Sequence, residues 1–180
     1  MPGEMCLSTL TEADLTMFGR LGIDEALLLA AQVRRVTDPQ ARELLGSVHP
    51  GDLSGIAFPY LSPINGEVWS YRVRRDHPET DADGKPKDKY LCPRFHNRLY
   101  FPPGAGPLLT DVTAPLVIAE AEKSALALTV LAARHGRRLL ALALGGCWGW
   151  RGKTGTEPGP SGEREQTRGP KPDFGLIHFI

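Results

Sequence analysis

The chain has 180 residues, 41% of them hydrophobic, and its 21 basic and 21 acidic side chains cancel at pH 7. This length allows one domain, or one domain with a small appendage, and the neutral balance argues against nucleic-acid binding by the surface as a whole. The strongest apolar run, residues 139–144, is far shorter than the ~20 residues that cross a bilayer. Three widely spaced cysteines exclude a zinc ribbon and a disulfide framework and indicate a reducing cytoplasm.

The first 50 residues have a helical pattern. Thr11 is a suitable N-cap for a helix over residues 12–20, and Asp24 is suited to the same role for residues 25–36. Asp38 and Pro39 open a third short helix, because proline fits a first helical turn. We predict a small helical cap over residues 1–50, with no residues that suggest chemistry.

Residues 51–112 are predicted to form a small, antiparallel, β-rich basic module. Two strands flank a turn at Asn65-Gly66, and further short strands are expected around Tyr90 and Tyr100. In the second strand Arg72 and Arg74 alternate with apolar and aromatic residues. The arginine face is consistent with a nucleic-acid or nucleotide groove, and equally with a half-exposed sheet whose arginines are solvated.

From residue 113 the pattern becomes α/β. A strand at residues 116–119, a helix at 121–135 and a strand at 138–144 predict a βαβ unit with parallel strands. Glu120 and Glu122 follow the first strand, at the sheet edge where carboxylates hold metals or move protons. The alternative is that both acids only stabilise the positive end of the helix. Residues 151–173 lack aliphatic and aromatic side chains, which predicts a mobile loop, and residues 174–180 are a candidate last strand.

The residues Val-Ile-Ala-Glu-Ala-Glu-Lys-Ser-Ala-Leu at 117–126 resemble the opening of TOPRIM domains in phage and plasmid primases and primase-helicases. The elements at 58–60, 71–74, 89–90 and 99–102 resemble the β-rich module that precedes TOPRIM in those proteins. Residues 145–151 are similar to the Gly-Val-Trp-x-Trp element of an uncharacterised, primase-associated TOPRIM-like family. The resemblance covers residues 55–180 and implies an α+β fold that ends in a truncated TOPRIM-like half-domain over 113–180.

The resemblance implies phosphoryl-transfer chemistry. Glu120 matches the glutamate that acts as general acid or base, and Glu122 matches a second acid that is either a secondary metal contact or a helix cap. In that family a later Asp-x-Asp binds Mg²⁺, which neutralises phosphate charge. Arg72, Arg74 and Lys89 correspond to residues that would face template or incoming nucleotide. Lys123 would contact phosphate, or else be a solvated first-turn lysine.

Two departures from the family bear on function. Ala121 replaces the family's glycine, and no Asp-x-Asp follows Glu122, so the chain is expected to stop before its metal site. Three hypotheses follow: a primase-type nucleotidyltransferase completed by a helicase partner or a missing C-terminal half; a non-catalytic nucleic-acid-binding remnant or partner subunit; and a nuclease or topoisomerase-like protein. We expect a cytoplasmic, primase-related protein of mobile-element replication, with nucleic acid and nucleotides as partners and no membrane association.

Overall fold

The computed structural model describes residues 9–94 and 96–178. Its helices are α1 (Glu12–Gly19), α2 (Glu25–Ala30), α3 (Asp38–Leu45) and α4 (Glu122–Arg134). Its strands are β1 (Arg34–Val36), β2 (Gly55–Leu61), β3 (Val68–Arg75), β4 (Tyr90–Leu91), β5 (Leu116–Ala119), β6 (Leu140–Ala143), β7 (Arg151–Pro158) and β8 (Arg164–Pro170). Short 3-10 helices lie at Gly106–Leu108 and Pro172–Leu176.

The strands form three sheets. An antiparallel sheet has the order β1-β2-β3-β4, and β5 pairs in parallel with β6, from Leu116 opposite Leu140 to Ala119 opposite Ala143. The strands β7 and β8 form an antiparallel pair. The predicted α+β class, the hairpin around Asn65-Gly66 and the parallel βαβ unit are therefore confirmed.

Two compact units divide the chain: residues 1–59 with 70–95, and residues 60–69 with 96–180. In the first unit α3 packs on the sheet through Ala41, Leu45, Ala57 and Val73, among others. The second unit has its own core, which contains Leu99, Phe101, Leu109, Leu140, Leu142 and Ile177. Compactness does not establish independent folding, so the predicted regions 1–50, 51–112 and 113–180 stay a prediction.

Among the described residues, no helix is both long and apolar enough to cross a bilayer.

The second predicted helix is shorter than expected. It was predicted over residues 25–36, but α2 ends at Ala30 and Gln32 has a left-handed φ of 54°. Residues 34–36 form β1 instead, with Arg35 opposite Ile56. Pairing with β2 satisfies the backbone of these residues, and this tertiary contact outweighs a local helical preference.

The loop prediction for residues 151–173 is wrong in its secondary structure. Strands β7 and β8 fill most of the segment, with a bulge between Lys153 and Gly155. Cross-strand backbone hydrogen bonds need no apolar side chains, so this polar hairpin has no hydrophobic pattern in the sequence. The last strand predicted from residue 174 is also not seen, since Pro172–Leu176 is a 3-10 helix and residues 179 and 180 lie outside the described ones.

The first unit contains an ion cluster around Arg35. Its guanidinium donates to both carboxylate oxygens of Asp14, at 2.6 and 2.9 Å, and also to Asp76. Burial alone would raise the pKa of Asp14, but hydrogen bonds from Arg35 and Thr11 outweigh it and hold that pKa below 3.8. The cluster thus joins α1 to β1 through a charge-assisted, bidentate contact.

This ion cluster predicts that the protein loses stability in acid. Since the folded pKa of Asp14 is lowered, the contribution of Asp14 to the unfolding free energy is present above about pH 4 and is lost as the pH falls through the folded pKa. Asp14→Asn should lower the unfolding free energy at neutral pH by about 1–2 kcal/mol and flatten its acid dependence. Urea unfolding across pH measures both, with exposed Glu43→Gln as the control. An Asp14→Asn protein with the wild-type acid slope would contradict the assignment.

Candidate functional site at the carboxyl ends of the parallel strands

The βαβ unit places two carboxylates at the end of β5. The backbone passes from β5 through Glu120 and enters α4 at Glu122. Ala121 is the N-cap residue and has no side-chain capping bond, so the helix starts without the usual side-chain acceptor. Carboxylates at this position face the positive end of the helix dipole.

Glu120 lies at the solvent side of this edge, and its side chain is exposed. Its backbone oxygen accepts hydrogen bonds from Gly145 at 3.0 Å and from Gly146 at 2.9 Å. Both glycines have positive φ, at 75° and 126°, which lets the chain turn sharply after β6. The end of β5 is therefore tied to this Gly-Gly turn, and the Glu120 carboxylate is accessible.

Glu122 has the opposite environment, because it is only 1% exposed. The Tyr60 hydroxyl donates a 2.5 Å hydrogen bond to Oε1 of Glu122, and Tyr60 is itself fully buried. A buried carboxylate is costly unless donors surround it, so Tyr60 compensates part of the desolvation of Glu122. No local pattern in the sequence marks this partner, since 62 positions separate the two residues.

A second buried tyrosine lies beside this pair. The ring of Tyr100 packs edge-on against Tyr60 with the centroids 5.3 Å apart, and the ring of His96 packs edge-on against Tyr60 at 4.5 Å. The Tyr100 hydroxyl is buried and has no hydrogen-bond partner among the described residues. Burial, together with the nearby charge of Glu122, raises the pKa of Tyr100 far above its usual value. We call Glu122, Tyr60, Tyr100 and His96 the tyrosine–carboxylate cluster.

The two acids do not form a magnesium site from the described residues. Glu120 is exposed, whereas Glu122 is buried and accepts from Tyr60. Mg²⁺ needs several oxygen ligands in near-octahedral geometry, and no three His, Cys, Asp or Glu side chains converge anywhere within residues 9–94 and 96–178. The assignment of Glu120 and Glu122 as metal ligands stays a prediction. Lys123 lies half-buried in the first turn of α4.

The predicted basic residues of the first unit lie on β3 and next to β4. Arg74 is directly opposite Tyr90 in the antiparallel register, so their side chains share a face of the sheet. The Arg72 guanidinium lies over the Tyr90 ring, 4.3 Å from its centroid. We call Arg72, Arg74 and Tyr90 the β3–β4 basic face. Lys89 is exposed and directly precedes Tyr90, and strand alternation directs neighbouring side chains to opposite faces.

The reverse side of β3 is buried at Val73 and Arg75. Val73 packs in the core of the first unit, and the Arg75 guanidinium binds the Asp52 carbonyl and both carboxylate oxygens of Glu79. Alternation along β3 thus gives its arginines different environments. Arg75 is buried and hydrogen-bonded, while Arg72 and Arg74 are half-exposed.

Comparison with protein-family models found no match, and comparisons with curated proteins and with solved structures found no significant similarity. The resemblance to TOPRIM domains therefore stays a prediction from the residues that carry it. The role of each candidate residue depends on its own geometry.

The tyrosine–carboxylate cluster contains a matched pair for mutagenesis. Tyr60→Phe removes the hydroxyl that donates to buried Glu122 and should lower the unfolding free energy by about 1–3 kcal/mol. Tyr100→Phe removes a hydroxyl without a partner among the described residues and should be neutral or stabilising. Urea denaturation at neutral pH compares the two variants. An equal decrease in unfolding free energy in both variants would show that the Tyr60–Glu122 hydrogen bond does not stabilise the protein.

Proposed function

We propose that this protein is a TOPRIM-like, primase-related protein of the phage or plasmid replication type. Its function in this proposal is to bind nucleic acid through the β3–β4 basic face. The observation that carries the proposal is the Arg72 guanidinium stacked on Tyr90 with Arg74 directly across the strand pair. Two guanidinium groups, each able to donate paired hydrogen bonds to a phosphate, thus lie beside one aromatic ring on the face opposite buried Val73.

The chemistry of this face suits single strands. Guanidinium groups bind phosphate oxygens in a bidentate manner, and an aromatic ring offers a stacking surface that any base can use. The stacking of Arg72 on Tyr90 restricts both side chains before binding, which reduces the conformational entropy lost on binding.

A second candidate function is metal-dependent nucleotidyl transfer. It is favoured by the exposure of Glu120 at the carboxyl end of β5, where the resemblance places a general acid or base. Further carboxylates for Mg²⁺ would have to come from outside the described residues, such as a helicase partner or another chain, because the described ones do not form a ligand set. We also propose a cytoplasmic location, in line with Cys92 and Cys147, neither of which is in a disulfide.

The binding proposal is tested with Arg72→Gln/Arg74→Gln and a labelled single-stranded oligodeoxythymidine, by fluorescence anisotropy over a series of salt concentrations. Loss of two phosphate contacts should weaken binding and reduce the slope of log K against log salt by about 1.4. The control Arg20→Gln/Arg137→Gln removes the same charge from two other exposed arginines and should change binding little. Wild-type affinity and slope in the Arg72/Arg74 variant would contradict the proposal.

Glu120→Gln separates the two candidate functions. Binding to the oligonucleotide should be unchanged, with or without Mg²⁺, because Glu120 is not part of the β3–β4 basic face. Transfer activity would appear as labelled products when wild-type protein is combined with the helicase partner, template, nucleotides and Mg²⁺, and should be lost in Glu120→Gln. Absence of products from the wild type together with that partner would contradict the second candidate and leave the binding proposal standing.

A further inference from the structure

The β7–β8 hairpin is firmly anchored at its base. Gly152 is buried against Asn97, and a Cβ at that position would approach the Asn97 side chain to 1.6 Å. The Lys171 ammonium is buried and donates to the carbonyls of Arg98 at 2.7 Å and Leu144 at 3.2 Å. This glycine contact and the buried lysine hold the two strands against the rest of the second unit at a defined position.

The register divides the hairpin into two chemically different faces. Residues directly opposite each other share a face, and the pairs Gly152–Gly169, Gly155–Thr167 and Glu157–Glu165 lie on one side. The pairs on the other side are Arg151–Pro170, Lys153–Arg168, Thr156–Gln166 and Pro158–Arg164. That second side carries cations and no carboxylate; we call Arg151, Lys153, Arg164 and Arg168 the hairpin basic face.

The hairpin basic face has no internal charge compensation. All four side chains are exposed, and Lys153 lies directly opposite Arg168. Like charges in directly opposed positions destabilise a strand pair, so this arrangement costs stability unless an anion lies between them. Arg164 and Arg168 are four residues apart on β8, a span of roughly 13 Å along the strand. The face is therefore a row of positive charge suited to an extended polyanion.

Aromatic side chains lie at the base of this row. Trp148 is 78% exposed, and Trp150 is 38% exposed with the Arg151 guanidinium 5.4 Å from its ring centroid. The turn that carries them packs closely on the end of β6, since a Cβ at Gly149 would approach the Leu144 carbonyl oxygen to 2.1 Å. A large, exposed indole on this turn offers a surface for base stacking.

We propose that the hairpin basic face and Trp148 form a second binding site for single-stranded nucleic acid. Backbone phosphates contact Lys153, Arg168 and the flanking arginines, while a base stacks on Trp148. This inference extends the proposed function to a separate surface and rests on it. An acidic protein segment would use the cations but would leave the exposed indole without a role, so the nucleic acid is the better match.

The test uses Lys153→Gln/Arg168→Gln and Trp148→Ala in the full chain, with labelled oligodeoxythymidine as the probe. The double variant should weaken binding, lower the salt slope by about 1.4 and leave the melting temperature no lower, since it removes a like-charge pair. Trp148→Ala should weaken binding at least about fivefold. The control Arg20→Gln/Arg137→Gln removes the same charge from other exposed positions.

The possible results separate this site from the β3–β4 basic face. Wild-type binding in both hairpin variants would overturn the second site, and a loss in Arg72→Gln/Arg74→Gln would then still support the proposed function. A wild-type protein that binds no oligonucleotide would overturn both proposals. Equal competition by poly-glutamate would show a surface for acidic protein and would overturn the nucleic-acid assignment.

Discussion

The hydrogen bond between Tyr60 and the buried carboxylate of Glu122 is the contact around which the candidate site of the second unit is organised. A carboxylate that begins a helix inside a core requires a donor, and the end of β2 supplies it. Tyr100 and His96 pack on the same tyrosine ring, so aromatic side chains surround this hydrogen bond at the start of α4. The consequence is a difference between the two acids: Glu122 is buried and hydrogen-bonded, whereas Glu120 has an exposed carboxylate at this edge.

The two proposed nucleic-acid surfaces follow one physical scheme. Each uses a pair of antiparallel strands in which buried residues on one side fix the position of the pair, and the opposite side carries cations beside an aromatic ring. Val73 is buried on β3, and Gly152 is buried at the base of the hairpin. The net charge of the chain is zero, so binding in this scheme depends on local accumulation of charge and not on the field of the whole protein.

The sequence predicted the elements with a strong local pattern. The strand Leu116–Ala119 matches its predicted bounds, and the parallel pairing with β6 follows from the helix between the strands. The Tyr60–Glu122 contact could not be predicted, because no local pattern links positions 62 residues apart. The hairpin over residues 151–170 was missed because its strands are polar on both faces, so neither alternation nor an apolar run marks them. The arginine face of β3 was predictable from alternation, but Tyr90 as its stacking partner required the register.

The central claim is that single-stranded nucleic acid contacts Tyr90 of the β3–β4 basic face and Trp148 beside the hairpin basic face. Ultraviolet cross-linking of the full chain to oligodeoxythymidine, followed by peptide mass spectrometry, tests it directly, because stacked aromatic side chains are favourable cross-linking positions. We expect cross-linked peptides that contain Tyr90 and Trp148, with a yield that falls as salt is raised. Cross-links confined to other aromatic residues would contradict the account. So would a complete loss of cross-linked peptides when duplex DNA is added as a competitor.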